Sequence, residues 1–113
     1  MRLIYHIVCA SDWNANDPAP YRAASLALEG FIHCSYGHQV ARVANLYFAG
    51  ETNPLVLSID ADRVYEILRD EDNGLGECFP HIYGPVDRVA IVAVRELHRD
   101  AQGQWLFDRD ADL

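Results

Sequence analysis

The chain has 113 residues, half of them hydrophobic, and a formal net charge of −8 set against nine basic residues that are all arginine. That length fits one domain and buries roughly 65% of the surface its unfolded form exposes, enough for a core without disulfide or metal staples. An acidic surface disfavours sequence-independent nucleic-acid binding, a local arginine pair still suits one phosphate or carboxylate, and the lack of lysine excludes Schiff-base chemistry. Cys9, Cys34 and Cys78 are odd in number, far apart and form no CxxC, so each is read as a small buried hydrophobe in a reducing, cytoplasmic setting. No apolar run approaches a membrane span, and Met1 is followed by no apolar leader region.

Residues 3–8 (Leu-Ile-Tyr-His-Ile-Val) read as a strand buried on both faces, with one imidazole, His6, set into it. Ser11-Asp12-Trp13 looks like a helix start with Ser11 as the cap, and residues 14–20 break it into a loop. Residues 23–30 suit a short helix stopped by Gly30. The next stretch, Gly30-Phe31-Ile32-His33-Cys34-Ser35, alternates, so a strand there sends Phe31, His33 and Ser35 to one face and Ile32 and Cys34 to the other. Imidazole and hydroxyl then point the same way at a strand-to-helix junction, a common place for small-molecule sites. A helix over residues 37–48 buries Val40, Val43, Ala44 and Tyr47, leaves His38, Arg42 and Asn45 opposite, and has Ser35 in capping position.

After a turn at residues 50–54, residues 55–60 form a near-continuously apolar strand, read as central. Residues 62–70 fit either a helix or a strand edge. Residues 70–77 read as an acidic, glycine-bearing loop leading into Phe79-Pro80-His81-Ile82-Tyr83-Gly84-Pro85, a rigid aromatic segment. A long strand over 88–97, a turn at Gly103, a last edge strand over 104–108 and a frayed tail over 108–113 complete the chain. Strands outnumber helices without strict alternation, which predicts an α+β domain of small mixed or antiparallel sheets with two or three short helices.

The candidate chemistry centres on histidine. A single strand histidine is more often a satisfied core residue than a catalyst, but polar groups set into two strands must both find partners. His6 and His33 share one cleft if their strands are neighbours, and His81 lies in the proline-bounded segment. A three-histidine metal site lacks the usual short-spaced ligand pair, so no metal is assigned. His33 and Cys34 point to opposite faces of a strand and form no dyad. Glu71 and Glu77 bracket the acidic loop; either one aimed beside the imidazoles would stabilise an oxocarbenium ion, and otherwise both are solvated. Tyr83 offers an aromatic face to a flat ring or packs on Pro80 or Pro85.

Three segments together, Ile4-Tyr5-His6-Ile7, Gly30-Phe31-Ile32-His33-Cys34-Ser35 and Phe79-Pro80-His81-Ile82-Tyr83-Gly84-Pro85, resemble a family of small bacterial proteins called domain-of-unknown-function family 952. The resemblance runs over residues 2–97. That family is in turn similar to the ADP-ribosyltransferase fold, notably the branch containing RNA 2′-phosphotransferases. The resemblance implies a split-sheet architecture with NAD in a cleft between two small sheets. It implies that His6 holds a ribose hydroxyl and that His33 with Ser35 lines the nicotinamide side. Glu71, Glu77 and His81 compete for the third catalytic position, and a histidine there departs from the glutamate of active transferases. The implied activity is binding of NAD or an ADP-ribosyl compound, with action at its glycosidic bond. The alternatives are a non-catalytic module for a small molecule or protein and, more remotely, a metal-dependent hydrolase.

Overall fold

The computed structural model describes residues 1–109. Its strands are β1 (Leu3–Cys9), β2 (Ile32–His33), β3 (Pro54–Asp60), β4 (Leu68–Asp72), β5 (Cys78–Ile82), β6 (Ile91–Glu96), β7 (His98–Arg99) and β8 (Trp105–Leu106). The α-helices are α1 (Ala24–Glu29) and α2 (Val40–Tyr47), with short 3-10 segments between strands. All strand pairs are antiparallel, in sheets ordered β1-β3-β6, β2-β5-β4 and β7-β8. The chain is thus α+β, built from small antiparallel sheets and few short helices. No helix among the described residues is long and apolar enough to cross a membrane.

The two three-stranded sheets meet along one seam. Past Cys34 the chain leaves β5 and pairs with β1 instead, through Tyr5 N–H to Ser35 O at 2.9 Å and Ser35 N–H to Tyr5 O at 2.7 Å. Strand order across the seam therefore runs β4-β5-β2, then β1-β3-β6. Alternation along β1 and β3 divides the core. Ile4, Val8, Leu57 and Ile59 pack with Ile32 and Ile82 of the neighbouring sheet, while Tyr5, Ile7 and Val56 pack with Val40 and Ala44 of α2 and with Trp105.

Most segments lie where their patterns put them. Gly30 ends α1 at φ 92°, a left-handed value that glycine adopts without Cβ strain. β3 is central and fully buried. β1 is buried along its middle, yet β3 is the middle strand of its sheet.

Several expectations need correction. Ser11 caps no helix: Ala10 N–H still bonds Asn53 O at 3.0 Å, continuing the strand pairing, so only a three-residue 3-10 turn fits before Trp13. Ser35 does not cap α2 either; the Gln39 side-chain oxygen accepts the Tyr36 N–H at 2.9 Å instead. Tyr47, expected inside, is 76% exposed as the last residue of α2. Asn45, expected on the solvent side, exchanges hydrogen bonds with the Trp105 backbone. Over residues 62–70 the chain forms a 3-10 segment, Ala61–Ile67, and enters β4 only at Leu68, so the strand begins after Val64–Ile67, the stretch that reads as a strand edge.

The acidic loop is shorter than residues 70–77, since β4 runs to Asp72 and forms a hairpin with β5. Pro80 hid this strand, because proline rarely occupies a central strand; here its carbonyl accepts the Cys34 N–H at 3.0 Å. The strand over 88–97 begins only at Ile91, after a 3-10 turn over Arg88–Ala90. The strand over 104–108 shrinks to β8. Cys34 is buried as read, Cys9 is partly so, and Cys78 is exposed beside the hairpin turn. The tail reading falls mainly on residues 110–113, outside the described residues.

Leu57 is fully buried at the centre of the larger core. Leu57→Ala is expected to lower stability by about 3 kcal/mol, through lost transfer energy and the cavity left behind. Urea unfolding should show a lower midpoint with an unchanged slope.

Candidate functional site

Three residues stand in one row across the β2-β5-β4 sheet: His33 pairs with His81, and His81 with Arg69. Directly opposed residues in antiparallel strands share a face, so all three side chains project from the same side. On that side the next row in one direction pairs Glu71 with Phe79, and Phe31 and Tyr83 follow the His33–His81 row in the other direction. The reverse side is the core, with Ile32, Pro80 and Ile82 fully buried. The hydrophobic alternation thus dictates which side is left for chemistry.

The outer groups form one connected cluster. His33 and His81 have ring centres 5.5 Å apart. Phe31 stacks on His81 at 4.1 Å and 23°, lies 4.7 Å from the His33 ring and 5.4 Å from Tyr83. Each imidazole has its own carboxylate, His81 Nδ1 with Glu71 Oε1 and His33 Nε2 with Glu29 Oε2, both at 2.9 Å. An ionised carboxylate only accepts, so these are the N–H nitrogens, and His81 Nε2 and His33 Nδ1 are left for other partners. Glu71 Oε1 also accepts from the Tyr83 hydroxyl. Those two hydrogen bonds, the tyrosine's first, hold the Glu71 carboxyl below its usual range, and the same contact pushes the Tyr83 phenol up.

His6 is placed differently. Its Nδ1–H donates to the His33 carbonyl at 2.7 Å, which leaves Nε2 bare to accept the Tyr21 hydroxyl at 2.8 Å. Both nitrogens are engaged, the ring is buried, and desolvation lowers its pKa to about 4. Its imidazole therefore lies behind the strand whose front carries the His33 ring. Tyr21, Trp13 and Arg88 close this side: Arg88 lies 4.5 Å over the Trp13 ring and donates to Asn14 O and Ala19 O, both at 2.8 Å.

The expected residues thus separate. His33, His81, Glu71 and Tyr83 come together. Ser35 is buried, and because its backbone crosses to β1 its hydroxyl does not share the open face of the His33 ring, contrary to the simple alternation. Glu77 turns the other way, accepting from Gln39 Nε2 at 2.9 Å and from Arg42, whose guanidinium lowers its pKa first. Cys34 is buried while His33 is exposed, so the two form no dyad. Among the described residues no group of three or more His, Cys, Asp or Glu side chains is arranged to hold a metal ion. Glu29, Phe31 and Arg69 were not singled out from the sequence. The position of Phe31 in the same alternation as His33 carried a signal; the other two depend on a chain reversal at Gly30 and on strand register.

These features define a small α+β protein with a histidine-carboxylate-aromatic cluster on the outer side of one sheet. The family described as protein of unknown function (DUF952) matches residues 7–94, and the chain belongs to it. It is similar to protein CC0527 from Caulobacter crescentus, whose crystal structure aligns with a TM-score of 0.85 at 30% identity over 98% of this chain and 99% of that one. The solution structure of the same protein aligns with a TM-score of 0.77 at 32% identity over 92% of this chain and 91% of that one. No curated protein matches the chain.

The buried His6 makes stability depend on pH. Its pKa is about 4 folded against 6.5 unfolded, so between those values the unfolded chain binds the extra proton. The contribution is complete above pH 6.5 and is lost as pH falls towards 4, about 3 kcal/mol in all. Urea titrations of the wild type and His6→Gln from pH 7.5 to 4 should show a steeper acid loss in the wild type. Parallel curves would disprove the assignment.

Proposed function

We propose that this chain is an ADP-ribosyltransferase-like domain that binds NAD or an ADP-ribosyl compound on the outer side of the β2-β5-β4 sheet and acts at the glycosidic bond. The observation that carries the reading is the Glu71 carboxylate, held ionised by Tyr83 and His81 beside a ring cluster. A fixed negative charge there stabilises the oxocarbenium ion that forms as nicotinamide leaves. Phe31, His33 and Tyr83 supply aromatic surface for the departing ring. Two three-stranded sheets joined along one seam, with a histidine on the first strand, also suit the split-sheet architecture implied by the resemblance.

Within this reading Glu71 takes the third catalytic position, ahead of Glu77 and His81. His6 and Ser35 serve from behind. His6 fixes the backbone of His33 and the hydroxyl of Tyr21, and Ser35 ties the two sheets together. The ribose hydroxyls fall to Glu71 and Tyr83.

The second reading is a binding module that retains the ligand unchanged. It is favoured by the double engagement of Glu71 Oε1, which leaves that oxygen less able to respond to a developing charge. NAD at about 100 times its Kd should stabilise the fold by about 2.7 kcal/mol and raise the melting temperature by several degrees. Nicotinamide release then identifies an enzyme, and Glu71→Gln should weaken the thermal shift only in part while slowing release at saturating NAD about 100-fold. Absence of a shift with NAD, ADP-ribose and nicotinamide alike would remove both the cofactor and the proposed ligand class.

A further inference from the structure

We propose that His33 and His81 form a general acid–base pair that hydrolyses a small ribose phosphodiester, with Arg69 holding the phosphate. The proposal uses the same side of the sheet as the reading above but requires neither NAD nor a glycosidic bond.

Three observations carry it. The two imidazoles are cross-strand partners with ring centres 5.5 Å apart, so both reach one small group. Each has one nitrogen tied to a carboxylate, Glu29 or Glu71, and the other nitrogen left to work, which fixes tautomer and ring orientation. Arg69 completes the row on the neighbouring strand. Its Nη1 is spent on the Leu68 carbonyl at 2.9 Å and the Glu66 carbonyl at 3.4 Å, which anchors the guanidinium and leaves its other N–H groups to meet an anion. Two imidazoles and one guanidinium suit phosphoryl chemistry, where protons must leave a nucleophile and reach a leaving oxygen around a charged centre.

In the reaction, a neutral imidazole takes a proton from water as the water oxygen bonds to phosphorus. The bond from phosphorus to the ribose oxygen breaks, and the second imidazole, protonated, delivers its proton to that oxygen. One water is consumed, a phosphomonoester forms, and no electron transfer is involved. Proton exchange with solvent restores the pair. Cys34 and Ser35 are buried, so water is the nucleophile. A net charge of −8, with Glu29 and Glu71 at the site, repels an extended phosphate backbone and restricts the substrate to a compact ester such as a cyclic nucleotide.

The test is hydrolysis of adenosine 2′,3′-cyclic monophosphate by the full chain in the presence of a chelator, followed by phosphorus NMR. The expected result is turnover with a bell-shaped pH profile, reduced about 100-fold or more in kcat/KM by His33→Ala and by His81→Ala. Arg69→Ala should raise KM more than it lowers kcat. Glu71→Gln, a positioning change, should lower kcat and displace one limb of the pH profile. Circular dichroism checks folding, with His33→Gln and His81→Gln replacing any alanine variant that unfolds. Turnover no greater than that of the His33→Ala/His81→Ala double variant, or turnover needing only one histidine, would overturn the proposal. Hydrolysis without any NAD response would sink the ADP-ribosyl reading and leave this one standing; an NAD response without hydrolysis would do the reverse.

Discussion

A neutral imidazole, beside the reciprocal Tyr5–Ser35 backbone bonds, holds the two halves of this molecule in register. His6 grows from β1, reaches across the seam to the His33 carbonyl, and receives the Tyr21 hydroxyl on its other nitrogen. Each bond demands a particular hydrogen position: a carbonyl can only accept, so Nδ1 carries the proton and Nε2 is bare. Burial enforces the same state by making the charged ring costly. An unpaired polar group at this depth costs far more than a made bond gains, so the three partners are locked together. The lock sets where the backbone of β2 runs, and through it where the ring of His33 emerges.

The outer, candidate side of the β2-β5-β4 sheet follows from its buried side. Ile32, Pro80 and Ile82 must face the core, which commits the alternate residues Phe31, His33, His81 and Tyr83 to the outside. Phe31 belongs to neither hydrophobic core; its ring rests on His81 and against His33 and Tyr83. In the proposed ADP-ribosyl reading that ring is offered to the ligand as an aromatic surface. Glu29 and Glu71 give the cluster direction by tying one nitrogen of each imidazole. The proposed binding of a ribosyl ligand and the proposed acid–base work on a ribose phosphodiester draw on this same set of groups.

A near-continuous apolar run exposed the strand at residues 55–60, a glycine stop the helix closed by Gly30, and alternation the polar side of the His33 segment. Such patterns are local consequences of side-chain geometry. Pattern failed where local preference and tertiary demand parted. Pro80 argued for a rigid loop, yet β5 accepts it in a central position, where its carbonyl still serves Cys34. Ser35 looked aligned with His33, but the chain changes sheets between them and the alternation ends there. Tyr47 had the spacing of a buried residue and lies exposed at the end of α2. Of the candidate site, His33, His81, Glu71 and Tyr83 were visible as residue types, whereas Glu29 and Arg69 carried no local signal.

What the amino-acid order determined by itself was the α+β character, the acidic lysine-free surface, and the histidines seated in strands beside aromatic residues. These depend on composition and on periods of two and 3.6 residues, which need no knowledge of distant partners. Only the tertiary structure decided which histidines meet. His33 and His81 are 48 positions apart and become cross-strand neighbours through the register of β2 against β5. His6, only 27 positions from His33, is turned behind that strand and bonded to its backbone. Register and sheet order arise from packing the whole core at once, and a shift of one residue would send each ring to the opposite side.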